Sequence, residues 1–482
     1  MVRDRGRGLS ALRIAAIVGV IAVVVGAAFI VSSYLPRAGS TSTASVTTSA
    51  STTPTITTST TSTSTFPVTT TSTSSTATFT TTTTTTAVAS LCSGGPCAPL
   101  ISGWLHTEPN DTNIYESNGT AVRLLGLNAI GLEFGTGTST PDSCGEAYSY
   151  GALNFSISEF DNVASWGFNS VRIPLTWENL EPTAPTLAAN GTWIHHWNTQ
   201  YLDELDYVIA QFGQRHIAVI LDFSQVDLSG AFQQAPEQEQ GGECEGWGVP
   251  LWMYPSITSP TTEQELATAV CNFFSNVSAV GNSTPSPIQG MEAAEQLLAS
   301  RYVNNPTVVG LDMFNEPWFS SSTPCGAGST PDSLLTSFYA NMSKVVSAAN
   351  PHLLIIFEDA LPKLTPNVPI LTSPPPVPNA VYSLHVYTSD WSTAQPLLQS
   401  HLTNAEKMGV PLWMGEFDAF EAGSSGVNAV VDPNWQVDTQ TMLAFCKDNG
   451  ISWAFFSYYS LSASSHAKVD PTLILSALRG GF

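Results

Sequence analysis

Positive charge is what this 482-residue chain has least of. Its 15 lysines and arginines stand against 38 aspartates and glutamates, a formal net charge of −23, and only 11% of its residues are charged, against about 25% in ordinary soluble domains. That balance excludes a nucleic-acid partner, because neutralising phosphates needs a basic face. No glycine-rich loop follows the first strand-like run, so a doubly wound nucleotide-binding sheet gains no support. The seven cysteines (92, 97, 144, 244, 271, 325 and 446) show no tight metal-ligand spacing. His195 and His196 lack a carboxylate partner at helical spacing, and no cofactor is implied. With so few bases, protonating the carboxylates creates little positive self-repulsion, which fits an acidic external medium.

What is present divides the chain. Residues 39–90 are almost entirely Ser, Thr and Ala. A polar tract of that kind cannot bury enough apolar surface to offset its ordering entropy. Ahead of it, Arg3, Arg5, Arg7 and Arg13 precede an uncharged apolar run from Ile14 to Val31. About 18 apolar residues suffice for a membrane-spanning helix, and arginines on its N-terminal side put the remainder outside the cell. The expected organisation is a cytoplasmic N-terminus (1–13), a transmembrane signal-anchor (14–34), a Ser/Thr-rich disordered linker (35–90) and one large domain (91–482) at the cell surface. Secretion after cleavage of a signal peptide is the alternative. Seven N-x-[ST] sequons, at Asn110, Asn118, Asn154, Asn190, Asn276, Asn282 and Asn341, agree with an external glycoprotein. In an oxidising exterior the cysteines pair with one left over, and Cys92–Cys97 and Cys144–Cys244 are the expected bridges.

From Ala121 onward, apolar runs alternate with helical patterns. The runs are 121–128, 169–175, 216–223, 307–314, 352–358, 379–387, 410–417 and 451–459. Most are nearly continuous in apolar residues, as strands buried on both faces are. Between them, Ser156 with Glu159 and Thr262 with Glu265 form capping-box patterns. Thr330 before Pro331 reads as an N-cap and first turn. Eight strands alternating with helices predict an α/β protein of the (β/α)₈ TIM-barrel class.

Chemistry in such a barrel collects at the C-terminal ends of the strands. Asn128, Arg172, Ser224, Gln225, Asn315, Glu316, His385, Tyr387, Glu416, Trp453 and Tyr458 fall at or near those ends. Two carboxylates, Glu316 and Glu416, would then share one mouth. One acid to protonate a leaving oxygen and one carboxylate to attack or activate water is the requirement of glycoside hydrolysis. A buried acid beside another carboxylate stays protonated to higher pH.

The motif set resembles glycoside hydrolase family 5, retaining (β/α)₈-barrel enzymes that include cellulases, mannanases and endoglycoceramidases. The likeness runs from about Gly119 to Leu475 and rests on NGTAVRLLGLN, NSVRIPLTWENLEP (169–182), NNPTVVGLDMFNEPW (304–318) and VPLWMGEFDAF (410–420). DFSQVDLSG (222–230) and GWGVPLWM (246–253) resemble the third-strand region of endoglycoceramidases. The resemblance implies Glu316 as general acid/base and Glu416 as nucleophile, about 5–5.5 Å apart for retention. It further implies that Asn315 bonds the sugar 2-hydroxyl, that Tyr387 holds the nucleophile, that His385 lines the subsite and that Arg172 keeps Glu416 ionised. Trp318, just beyond the Asn-Glu-Pro, is assigned to the cleft. Two positions depart from the family pattern: Ser224 stands where histidine is common. Phe456 stands where a tryptophan floors the central subsite, with Trp453 earlier on the same strand.

The expectation is therefore a monomeric retaining endo-β-1,4-glucanase acting on external β-linked polysaccharide or oligosaccharide. A β-mannanase or an endoglycoceramidase-like glycosidase is the alternative within the class. A non-catalytic glycan-binding envelope protein is the alternative outside it.

Overall fold

The computed structural model describes residues 95–133, 155–232, 247–257, 261–320, 325–326, 328–360, 369–388, 390–420, 431–462 and 468–482. The expected anchor (14–34), the linker (35–90), Cys92, Cys144 and Cys244 lie outside them. Among the described residues no helix is long and apolar enough to cross a membrane.

Three short strands, β1 (Leu105–Thr107), β2 (Ile114–Glu116) and β3 (Ala121–Val122), form an antiparallel sheet. Next come β4 (Leu125–Asn128) and β5 (Ser170–Leu175), then a hairpin of β6 (Thr183–Leu187) and β7 (Trp193–His196). The remaining strands are β8 (Ala218–Phe223), β9 (Val308–Asp312), β10 (Leu354–Glu358), β11 (Ala380–Val386), β12 (Leu412–Phe417) and β13 (Ser452–Phe455). Strands β4, β5 and β8 to β13 pair in parallel, and β13 pairs back onto β4 to close an eight-stranded barrel. Each of the eight apolar runs thus supplies one barrel strand. The first run is split, with β3 leaving the barrel at Arg123. The last turns off after Phe455 into a short helix, Tyr458–Leu461.

The helices start where the capping chemistry requires. Ser156 donates from its backbone N–H to Glu159 (2.6 Å), and Thr262 to Glu265 (2.8 Å), opening helices Ile157–Trp166 and Glu263–Phe274. Thr330 caps Pro331–Ala349 by accepting from the Ser333 backbone N–H at 3.2 Å. Each bond satisfies an N–H that the helix cannot pair internally.

Strand parity divides the apolar residues into two layers, except on β9, where a register shift against β8 places Val309 in the opposite layer from both Val308 and Leu311. Val219, Leu221, Val308, Leu311, Ile355, Phe357 and Leu384 join the outer core with the helices. Ala218, Ile220, Val309, Leu354, Ile356, Val381, Trp413 and Ala454 fill the barrel interior, where Leu105, Ile114 and Leu124 join them. Toward the C-terminal ends the same inward positions change chemistry. Asp222 follows Ile220, Glu358 follows Ile356, and Ser383 and His385 follow Val381, all buried. One end of the interior is packed hydrocarbon and the other is polar.

Cys271, on helix Glu263–Phe274, is bonded to Cys325, with Cα atoms 5.1 Å apart, a bridge that sequence spacing did not suggest. Cys97 is also disulfide-bonded. Cys446 is buried and free.

Candidate active site

Arg172 organises the polar end. It points inward from the middle of β5 and is wholly buried. Its Nη1 donates to Glu416 Oε1 at 2.6 Å and to Asn128 Oδ1 at 3.1 Å. Nε and Nη2 both reach Asp312 Oδ2, at 3.1 and 3.0 Å, and Nη2 also donates to Asn315 Oδ1 at 2.9 Å. Asp222 lies 3.1 Å away and Glu358 4.0 Å away. A planar guanidinium with five N–H groups suits this crowd where an ammonium would not. Burial opposes its charge, but the surrounding carboxylates hold the guanidinium protonated well beyond its ordinary range.

Glu416 reaches this centre through an irregularity in its strand. β12 shifts register against β13 between Met414 and Phe417, and β11 shifts against β12 between Leu384 and His385. Such a shift re-aims a side chain that simple alternation would send to the other face. The neighbouring glycine is needed for the fit. A Cβ on Gly415 would stand 2.8 Å from Ser383 Oγ and 3.1 Å from His385 Nε2. The second oxygen of Glu416 accepts from the Tyr387 hydroxyl at 2.6 Å.

Glu316 follows β9 with φ of +44°, a left-handed conformation that costs a non-glycine residue on the order of 1–3 kcal/mol. Its surroundings hold it there. The Glu316 N–H donates to Glu358 Oε2 at 2.6 Å, and Gln225 Nε2 donates to the carbonyls of Asn315 (2.7 Å) and Glu316 (2.9 Å). The Glu316 carboxyl meets His385 Nδ1 at 2.6 Å. On the other side of the ring, His385 Nε2 stands 2.6 Å from Glu358 Oε1, an ion-pair contact rather than an aligned hydrogen bond. Glu316, His385 and Glu416 each place one polar atom within 4.8 Å of the other two. A carboxyl group faces each ring nitrogen of His385, an arrangement that favours the doubly protonated imidazolium.

Burial raises the Glu316 carboxyl above its ordinary range, partly offset by His385 and reinforced by Glu416 and Glu358. Burial opposes the charge on His385, yet Glu358, Glu416 and Glu316 together push its pKa well up. For Glu358, burial is outweighed by His385, Arg172 and the Glu316 N–H, so it lies below its ordinary range. Asp312 is pushed up to about 7 by burial and by Glu358. Burial raises Asp222 well above its usual value, against the pull of Arg172. Glu133, on the loop after β4, is pushed up to about 8 by burial, with a smaller push from Glu416.

Arg172, Asn315, Glu316, His385, Tyr387 and Glu416 are therefore one connected group. Phe456 is half-buried beside it, edge-on to the Tyr387 ring with centroids 6.2 Å apart. Ser224 is buried at the end of β8 and accepts from Trp247 Nε1 at 3.2 Å. Trp318 is half-buried against the outer core two residues beyond Glu316. Trp453 is not with the group, which corrects its expected place in the cleft. It faces the opposite side of β13 from Ala454, wholly buried, stacked on Phe482 at 5.9 Å and edge-on to Phe417. Glu358, Asp312 and Asp222 belong to the group or its support and were missed as site residues, while Gln225, placed at a strand end by the sequence, had no role assigned. Glu358 and Asp222 carried the signal that singled out Glu316, an acid late in an apolar run.

The family description Cellulase (glycosyl hydrolase family 5) matches residues 135–462. The chain belongs to glycosyl hydrolase family 5. Within that family it is 25% identical over 268 residues to an endoglucanase of Paenibacillus polymyxa, covering 54% of this chain and 51% of that one. It is 24% identical over 304 residues to endoglycoceramidase I of Rhodococcus hoagii (strain 103S), covering 60% and 52%. The chain thus spans about half the length of the curated relatives it matches. Among solved structures its fold is similar to an endogalactoceramidase, at a TM-score of 0.56 and 20% identity over 78% of this chain and 85% of that one. The lactosyl-enzyme intermediate of endo-glycoceramidase II from Rhodococcus sp. gives a TM-score of 0.55 at 19% identity over 77% and 80%.

Proposed function

We propose that this family 5 member is a retaining endo-β-1,4-glucanase working by double displacement. The observation that carries the reading is the pairing of two unlike carboxyls, with one oxygen of Glu316 and one of Glu416 within 4.8 Å of each other. Burial raises the Glu316 carboxyl above its ordinary range, which favours its acid form, while Glu416 receives hydrogen bonds from Arg172 and Tyr387. That spacing suits attack by the carboxylate itself; an inverting pair stands about 6.5–9.5 Å apart to admit a water.

Glu316 gives its proton to the glycosidic oxygen as that bond breaks, and a Glu416 oxygen bonds to the anomeric carbon. Glu316, now a carboxylate, takes a proton from the water that displaces Glu416, which restores both groups. The Asn315 amide has one hydrogen on the Gln225 carbonyl at 3.3 Å, and its oxygen is held by Arg172. Its second hydrogen is free for a sugar hydroxyl. Phe456 supplies an aromatic wall but no N–H donor.

A second reading, release of an oligosaccharide from a β-glucosyl lipid, is favoured by the endoglycoceramidase among the relatives. Soluble cellulose, mannan, xylan and a glycosphingolipid, each with wild type and Glu416→Gln, separate the two. Sugar release from cellulose that the variant loses supports the first reading. Release from the lipid alone transfers the assignment to the second. Trapping with a 2-deoxy-2-fluoro glycoside places the covalent adduct on the Glu416 peptide; an unlabelled peptide refutes retention through Glu416. Binding without turnover on every glycan would favour the non-catalytic alternative.

The domain's place outside the cell, tethered by 14–34 through a stalk at 35–90, belongs to the same proposal, as does a monomeric state. Protease treatment of intact cells should release the catalytic domain, leaving a membrane-bound stub. Sedimentation should give one chain. An activity optimum near neutral pH, with loss below about pH 5, would count against the acidic medium.

A further inference from the structure

Glu358 touches the acid/base machinery at two points. Its Oε2 accepts the Glu316 backbone N–H, and its Oε1 lies against the His385 ring nitrogen opposite the one on the Glu316 carboxyl. Ser383, one strand over, donates to the same Oε1 at 3.1 Å. The Glu358 backbone N–H is fixed in turn by the Tyr339 hydroxyl at 3.1 Å. Glu358 is 2% exposed, so no route brings it to a substrate. The result is a closed loop: Glu358 to the Glu316 backbone, along that residue to its carboxyl, through the imidazole and back to Glu358.

We infer that Glu358 is a positioning residue for the general acid, holding both the Glu316 backbone in its left-handed conformation and the imidazolium that aims the Glu316 carboxyl. The inference rests on the proposed reading of Glu316 as acid/base. Two short contacts from one buried carboxylate are more than neutralising Arg172 requires. That guanidinium is 4.0 Å away and already has Asp312, Asp222 and Glu416 closer. The charged groups facing His385 are Glu316 from the β9 loop, Glu358 from β10, Glu416 from β12 and, further off, Asp312 from β9; Tyr387 lies on its own strand. Of these, Glu358 alone meets the imidazole at Nε2. Removing its charge therefore leaves that side of the ring without a counterion, and Glu316 loses a fixed partner.

The test exploits leaving groups. An alkyl cellobioside needs a proton to depart, whereas 2,4-dinitrophenolate does not. In Glu358→Gln, kcat/KM on the alkyl glycoside should fall about 10²-fold, the scale of general-acid catalysis. On the dinitrophenyl cellobioside it should stay within about threefold of wild type. Glu316→Gln provides the reference pattern. Equal losses on both substrates, or no loss, would overturn the inference, because general loosening of the site does not distinguish leaving groups. If Glu358→Gln fails to fold, Ser383→Ala, which removes one bond to Glu358 Oε1, should give a smaller loss of the same selectivity.

Histidine NMR supplies a readout free of turnover. The His385 imidazolium should lose its proton at least about one pH unit lower in Glu358→Gln than in wild type. An unchanged titration would overturn the inference. Should wild type cleave neither glycoside, the reading of the reaction fails on its own, and the titration alone decides whether Glu358 sets the state of His385.

Discussion

Gln225 holds Glu316 without touching its carboxylate. From the residue after Ser224, one side-chain nitrogen bridges the carbonyls of Asn315 and Glu316, while its oxygen accepts the Leu228 N–H at 2.8 Å. The turn that presents the acid is thus tied to the neighbouring strand end. Gln225→Ala would leave those buried carbonyls unpaired, at a cost of about 1–3 kcal/mol. The expected outcome is a lower Tm together with a fall in kcat/KM, read by thermal unfolding and by kinetics on the same preparation. An unchanged Tm would show that Glu316 keeps its conformation without Gln225.

Arg172→Lys keeps one positive charge but cannot span Asn128, Asp312, Asn315 and Glu416 together. Breaking a buried ion pair costs about 3–5 kcal/mol, and several contacts are lost here. Urea unfolding should show a loss of that order, with sugar release abolished. A variant as stable as wild type would mean that the cluster rearranges around an ammonium.

Stability should rise as pH falls from about 8 toward about 4.5. Burial is the main cause that pushes Glu133 up to about 8, and Glu178 and Asp312 up to about 7, from ordinary values of 4.5, 4.5 and 3.8. An acid whose folded pKa is raised stabilises fully below its unfolded pKa, and that contribution disappears as pH rises to the folded value. His385, also raised, acts in the same direction: its contribution is present below its unfolded pKa and lost as pH rises through the folded one. Glu358, which is lowered, acts oppositely, and its contribution is lost as pH falls through its folded pKa. Tm measured from pH 3 to 9 should peak on the acidic side of neutrality (about pH 4–5). A Tm that climbs steadily to pH 8 would contradict the burial of these acids.

The Cys271–Cys325 bridge closes a separation of 54 residues that contains β9 and the Asn315–Glu316 turn. Replacing both cysteines by alanine should lower unfolding stability by about 2–4 kcal/mol. The Michaelis constant on the identified substrate should change little. A large change would mean that the bridge also shapes the cleft.

Much of this was legible in the sequence because one pattern recurs eight times. Runs of Val, Ile and Leu with a polar residue late in the run mark strands buried on both faces, and helix caps mark the segments between. Asn315-Glu316 and Glu416 were readable by the same criterion. Parity was the information left unused. Trp453 and Phe456 are three positions apart, so on one strand they face opposite ways, and only Phe456 stands beside Tyr387. Glu358 and Asp222 sit in register with inward-facing Ile356 and Ile220. Glu416 could not be placed by parity, because the register shift that turns it inward has no local sequence sign. The Cys271–Cys325 pairing depends on where helix Glu263–Phe274 meets the loop that carries Cys325, and spacing cannot foretell it.

The two ends of the barrel interior set different rules for anyone redesigning the protein. At the hydrocarbon end, where Val381, Leu354 and Ala454 meet Leu105 and Ile114, a new polar side chain has no partner and would unfold the scaffold before it altered any activity. At the other end, side chains beyond the Arg172 cluster are held by loops rather than by the barrel itself. A library aimed at new glycan preference is best confined to positions such as Ser224, Trp318 and Phe456. There a variant that folds but fails is informative about the substrate.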